Sequence, residues 1–135
     1  MKIEISAGLV IIQNNKILLE HPTGSKWTGT YSIPKGGVNT NEILIDAALR
    51  ETYEEIGIKF TVKDFHSIFP GVIGYNKNGK TYKRIFYFVI YLKHPIVLDQ
   101  SKLQKDEVDW AGFLTKEEAE SKMFWRQKEV LSYLL

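Results

Sequence analysis

The sequence predicts an α/β fold, a mixed sheet with helices on both faces, and three observations carry that expectation. Residues 3–12 and 80–93 are rich in β-branched and aromatic side chains and read as strands. Between them, Gly36–Ile58 has the period of a helix and its own stop signal. After a further strand the chain closes on two helical segments, so strands and helices are interleaved rather than segregated.

Taken in order, residues 3–12 form a strand that becomes buried as it proceeds, and Asn14-Asn15 suits the left-handed positions of a tight hairpin turn. Lys16–Glu20 is the returning strand. His21–Thr30 holds a proline, two glycines and several hydroxyls and is predicted as a loop, with His21 a loop residue. Tyr31–Ile33 is a short extended piece, because Pro34 biases Ile33 away from helix. Gly36-Gly37 is expected to be a flexible turn. The helix is expected to start near Asn39–Asn41, with Asn39 and Glu42 at capping-box spacing, and Gly57 supplies a left-handed stop.

Residues 58–73 read as one or two strands broken near Pro70-Gly71, and Asn76–Gly79 is a hairpin signal. The strand over 80–93 is apolar on both faces at its centre and belongs in the middle of the sheet. Residues 99–107 form a polar loop, Val108–Leu114 a last strand, and Thr115 with Glu118 caps a short helix. Phe124–Leu135 is predicted as a second helix, its apolar face made by Val130, Leu131 and Leu134.

On the Gly36–Ile58 helix, Glu51, Glu54 and Glu55 fall within an arc of roughly 100°. Ile45, Ala48, Leu49, Thr52 and Ile56 occupy the adjoining arc, which leaves a core side and an acidic side. Each carboxylate pair repels by roughly 1 kcal/mol even at water-like dielectric. A divalent cation reverses the sign of that interaction, and Mg²⁺ favours all-oxygen ligands.

Composition narrows the function classes. The chain of 135 residues fits a single domain, 1–135, and needs no staples to bury a core. It has no cysteine, which excludes disulfides, thiolate metal sites and a cysteine nucleophile. No apolar run approaches a membrane span, and no leader pattern opens the sequence, since Glu4 interrupts it; a cytoplasmic protein with no membrane partner is the expectation. A net charge of +2 demands no nucleic-acid partner.

The spacing from Gly36, filled by Gly36, Glu42, Arg50, Glu51, Glu54, Glu55, Gly57 and Ile58, resembles the signature box of the Nudix hydrolases. Thr52 stands in a slot that is hydrophobic in that pattern. SAGLVII, YSIPKGG and DEVDWAGF extend the resemblance over most of the chain. The resemblance implies an α/β/α sandwich that cleaves a nucleoside diphosphate linked to another moiety, using Mg²⁺ or Mn²⁺. It casts Glu51, Glu54 and Glu55 as metal ligands, with a carbonyl of Lys35 completing the set. Arg50 is expected to grip a neighbouring carboxylate and fix its orientation. Gly36 and Gly37 would let backbone approach metal or phosphate. Ala47, between Glu51 and Glu54 on the wheel, would leave room for ions. A water is activated by Glu54 or Glu55, with Glu107 as ligand or base by its place ahead of Val108.

Trp27 and Tyr31 are candidates to stack a nucleobase, against a bland role covering the sheet. Tyr75, Lys83 and Arg84, with Lys77, Lys80 and Tyr82 around the hairpin, could contact distal phosphates and a base, or form a solvated tip. A tyrosine at the spacing of Tyr75 past the box resembles dinucleoside polyphosphate hydrolases, as does the PKG before the helix. Pro70 comes too early for the proline of ADP-ribose hydrolases. The leading expectation is therefore a pyrophosphohydrolase acting on a dinucleoside polyphosphate or a (d)NTP. Two alternatives are weighed: removal of pyrophosphate from RNA 5′ ends, and a non-catalytic nucleotide sensor. The isomerases of similar fold rely on a cysteine, which is missing. The family's frequent dimerisation makes a homodimer compatible with the aromatic content.

Overall fold

The computed structural model describes residues 2–135. Its strands are β1 (Glu4–Gln13), β2 (Lys16–Pro22), β3 (Lys35–Gly37), β4 (Phe65–Lys77), β5 (Lys80–Leu92) and β6 (Val108–Leu114). Its α-helices are α1 (Leu44–Ile56) and α2 (Lys116–Lys122). The sheet runs β4-β5-β1-β2-β6, with β3 paired to β1. β1 and β5 pair in parallel while the other strand pairs among the described residues are antiparallel, so the sheet is mixed as expected.

The outer edge of β1 is shared between two partners. Near the hairpin, Ile12 and Gln13 pair with Ile17 and Lys16 of β2, whereas Ser6, Ala7 and Gly8 pair with Gly37, Gly36 and Lys35 of β3. Where β1 and β2 part, the segment from Ser32 to Gly37 is inserted between them. Ser32 exchanges backbone hydrogen bonds with Glu20 on one side, and Leu9 N–H donates to the Pro34 carbonyl on the other. This fork in the sheet places the residues ahead of α1.

Alternation along the strands splits the core in two. Val10, Ile12, Ile17, Leu19, Ile85, Tyr87 and Val89 face one layer, covered by α2 and a 3₁₀ segment at Trp125–Tyr133. Leu9, Ile11, Leu18 and Ile90 face the other, covered by Ala47, Ala48 and Ile56 of α1. The result is the α/β/α sandwich. Among the described residues, no helix is long and apolar enough to cross a membrane.

Several local expectations hold and others are corrected. Asn14, Asn15 and Asn78 have φ of 51°, 55° and 53°, as their turns require. Gly57 caps α1 at φ 77°, its N–H donating to the Tyr53 carbonyl. The box helix, however, starts at Leu44 rather than Asn39–Asn41, because Asn41 sits at φ 64° and interrupts any earlier turn. Gly36-Gly37 is part of strand β3, not a free turn. β4 runs unbroken through Pro70, a residue without an N–H that is tolerated because β4 is an edge strand, paired on one side alone. The segment at Trp125–Tyr133 is a 3₁₀ helix, with Gln127 bonding back to Phe124 and Leu134 to Leu131.

Candidate active site

The solvent-side face of α1 meets β3 at a cluster of charge. Arg50 organises it. Its Nε and Nη2 donate to the two carboxylate oxygens of Glu42, each at 2.9 Å, and Nη2 also donates to the Gly37 carbonyl at 2.8 Å. Nη1 donates to Glu51 at 2.9 Å and reaches Glu54 at 3.3 Å. The bidentate grip expected of Arg50 is thus on Glu42, ahead of the helix, while its hold on Glu51 is single. The ion pair pulls the Glu42 carboxyl down from its ordinary 4.5 to about 2 and raises the Arg50 guanidinium further.

Glu51 lies directly over Gly36, so that a Cβ at that glycine would collide with its carboxylate. Gly36 has no unusual φ; its need is for space under Glu51. Glu55 accepts a hydrogen bond from the Lys35 N–H at 3.0 Å. Burial first, and then the neighbouring charge of Glu51, push the Glu55 carboxyl up to about 8. Glu54 is half-exposed and rests against Arg50 alone. Thr52, in the atypical slot, is fully buried and its hydroxyl donates to the Ala48 carbonyl at 2.8 Å. Ala47 is a core residue with no exposure, which corrects its assignment to the ion-facing side.

A fourth carboxylate stands beside these three. Glu20, near the end of β2, is 4% exposed and touches Glu55. Its Oε1 is buried with no hydrogen-bond partner. Burial, then the charge of Glu55, raise its carboxyl well above the ordinary range. Burying a lone carboxylate costs of order several kcal/mol, so four hard-oxygen groups with an orphaned buried oxygen make a donor set suited to a divalent cation. Among the described residues, no three acidic or histidine side chains are already closed around one point; Arg50 and the Lys35 N–H engage Glu51, Glu54 and Glu55 individually. Sequence reading missed Glu20. The one available signal was a glutamate at the end of the apolar run KILL, where alternation puts it on the face of Leu18.

Cations line the other side of β3. Burial, and then the like charge of nearby Lys35, lower the affinity of Lys83 for a proton. Its Nζ is 3.8 Å from Glu4 and 5.6 Å from the centre of the Tyr75 ring. Arg84, next along the strand, points to the opposite face and is exposed, so it does not join Lys83.

The aromatic candidates separate. Tyr31 is 4% exposed, packed edge-on to His21 and Trp27 and against Trp110; it belongs to the core. Tyr75 is 6% exposed, and its hydroxyl accepts from Gln127 Nε2 at 3.0 Å. Neither presents a ring for stacking. Trp27 does, at 54% exposure. It is held by His21, whose ring stacks on it at 3.5 Å with an interplanar angle of 1°. His21 is fully buried at the end of β2, not in a loop, with Nδ1 2.6 Å from Asp109 and Nε2 2.9 Å from the Lys26 carbonyl.

Glu107 is exposed, and its hydrogen bonds are made by its backbone, to Thr23 and Gln104. The loop that carries it is nonetheless tied to the box, because Gln104 N–H donates to the Glu55 carbonyl at 3.0 Å. A concavity of about 470 Å³ lined by Gln13, Tyr91, Lys93 and Leu135 includes none of these residues.

The NUDIX domain model matches residues 2–134. The chain belongs to the NUDIX domain family. It is similar to Nudix hydrolase 2 of Arabidopsis thaliana, 27% identical over 135 residues; the match covers 96% of this chain and 45% of the relative, so the chain spans about half of that protein's length. Among solved structures it is similar to a C. elegans Ap4A hydrolase binary complex, with a TM-score of 0.73 and 24% identity over 96% of this chain and 93% of that one. A bifunctional NMN adenylyltransferase/ADP ribose pyrophosphatase of Francisella tularensis, complexed with AMP and a Mn ion, gives a TM-score of 0.74 at 14% identity, covering 98% of this chain and 42% of that chain. A MutT NUDIX hydrolase from Burkholderia pseudomallei gives 0.71 at 18%, covering 98% of both. These structural likenesses establish the shared fold.

Proposed function

We propose that this chain is a metal-dependent pyrophosphohydrolase acting on a nucleotide with an extended phosphate chain, a dinucleoside polyphosphate or a (d)NTP. The observation that carries the reading is the juxtaposition on either side of β3: the glutamates of α1 on one side and the Lys35–Lys83 pair on the other. Glu51, Glu54 and Glu55 would hold Mg²⁺ or Mn²⁺, which supplies neutralisation of the charge that builds on the phosphate oxygens during hydrolysis.

The chain's own residues do the rest. Arg50 keeps Glu51 turned toward Gly36. Glu54 or Glu55, held ionised by the bound cation, would take the proton from the attacking water. The closely spaced ammonium groups of Lys35 and Lys83 oppose one another until an anion lies between them, which fits them to the distal phosphates. Trp27, clamped by His21, offers a rigid ring for a base. Tyr75 acts behind Lys83 rather than on a base. The fold alone does not choose the substrate, since an Ap4A hydrolase and an ADP ribose pyrophosphatase share it; the paired lysines favour a longer phosphate chain.

Nucleotides, dinucleoside polyphosphates, nucleotide sugars and triphosphorylated RNA are to be assayed together with Mg²⁺ and Mn²⁺. Turnover should be fastest on substrates with three or more phosphates. Glu54→Gln and Glu55→Gln should each lower kcat by about 10²–10⁴-fold, the range of lost acid–base catalysis. Undiminished turnover in both variants would sink the mechanism, and fastest turnover of ADP-ribose would sink the substrate class.

A further inference from the structure

The glutamates that α1 contributes are all on one helix, yet the acidic site has an additional member supplied by the sheet. Along β2, Ile17 and Leu19 enter the core layer under the C-terminal 3₁₀ segment, whereas Leu18 enters the layer under α1. Glu20 is next on Leu18's face, so the pleat aims it beneath the box helix. Its backbone is fixed on both sides. Its N–H donates to Ser32 at 2.8 Å, its carbonyl accepts from Ser32 at 2.9 Å, and it stands opposite Ala111 in the β2–β6 ladder. A side chain so anchored cannot swing to solvent without breaking the strand.

Its surroundings then make no sense for a carboxylate alone. Glu20 is 4% exposed, it touches Glu55, and Oε1 has no hydrogen-bond partner. Lys35 moderates the charge from nearby, and among the described residues no ion pair with Glu20 is formed. A leucine would fill the position as Leu18 does; a glutamate there needs a positive partner that its neighbours do not provide.

We propose that Glu20 is a further ligand of the divalent cation, supplied by β2 opposite the α1 glutamates, so that the ion is held from two sides, by helix and sheet. This rests on the reading of the acidic cluster as a metal site. In that arrangement the sheet fork has a purpose: Ser32–Gly37 locks Glu20 on one edge and presents Lys35 N–H and Gly36 to the helix glutamates on the other.

The test uses the intact chain and Mn²⁺ alone, with affinity read by calorimetry and by the loss of free-ion paramagnetic resonance signal. Glu20→Gln keeps the shape and removes the charge; Mn²⁺ affinity should fall at least about tenfold, beside a comparable loss in Glu51→Gln. Glu20→Leu guards against a folding failure. It should melt at or above the wild-type temperature without metal, and the rise in melting temperature on adding Mn²⁺ should be largely gone. Unchanged Mn²⁺ affinity in a folded Glu20 variant overturns the proposal and leaves a buried pair sharing a proton with Glu55. If the wild-type chain binds Mn²⁺ through Glu20 yet hydrolyses no phosphoanhydride, the hydrolase reading fails while this one stands. If the wild type binds no Mn²⁺, both fall.

Discussion

At the scale of single residues, Arg50 shows how a site is set by geometry that charge alone does not specify. Six contacts radiate from one guanidinium, to Glu42 twice, to Glu51, to Glu54 twice and to the Gly37 carbonyl. A planar fork with fixed donor directions can serve all of them; an ammonium on a flexible stem cannot. Arg50→Lys should therefore keep the net charge but lower kcat and Mn²⁺ affinity together by about 10–100-fold, as loss of a supporting contact does. Steady-state kinetics with a parallel Mn²⁺ titration checks this, and an effect on kcat without any on affinity would show that Arg50 touches substrate instead.

Secondary elements decide what each glycine is for. A Cβ at Gly36 meets the far end of a flexible glutamate, whereas one at Gly71 meets the Tyr87 ring across the β4–β5 ladder. The first neighbour can turn aside; the second cannot. Gly36→Ala should leave stability within about 1 kcal/mol while costing Mn²⁺ affinity tenfold or more, and Gly71→Ala should destabilise by about 1–3 kcal/mol with affinity intact. Denaturant melts and Mn²⁺ binding on the two variants separate these outcomes. A large stability loss at Gly36 would mean that Glu51 is locked more rigidly than its one bond to Arg50 implies.

For the whole molecule the acidic site makes stability depend on pH in two opposed ways. Glu55 is raised from 4.5 to about 8, so between those values the folded chain keeps a proton that the unfolded chain has released. Stability then falls as pH rises through that window, and Glu20 acts in the same direction. Glu42 is lowered to about 2; its contribution is present above 4.5 and is lost as pH falls toward 2. Metal-free protein should thus melt progressively lower from pH 5 toward pH 9, and added Mn²⁺ should raise the melting temperature most at the alkaline end. Scanning calorimetry across pH with and without Mn²⁺ checks this. A Mn²⁺ effect that does not grow with pH would contradict it.

Much of this architecture was legible in local sequence, because the interactions concerned are local. The asparagine turns, the Gly57 stop, the α2 cap at Thr115 and the acidic arc of α1 depend on residues within one helical turn or one hairpin of each other. So did the family, since the box spacing reports which side chains share a helix face. What only the tertiary structure decided depends on residues far apart in the chain. Tyr31 and Tyr75 read as candidates to meet a base, with a bland alternative for each, but a layer built from residues 119–134 covers them. Lys83 and Arg84 read as one basic pair, but the pleat sends them to opposite faces. Glu20 read only as the last residue of the returning strand. Only the fork that brings Ser32–Gly37 between β1 and β2 buries it against Glu55, 35 residues on in a helix whose own sequence gives no sign of a partner.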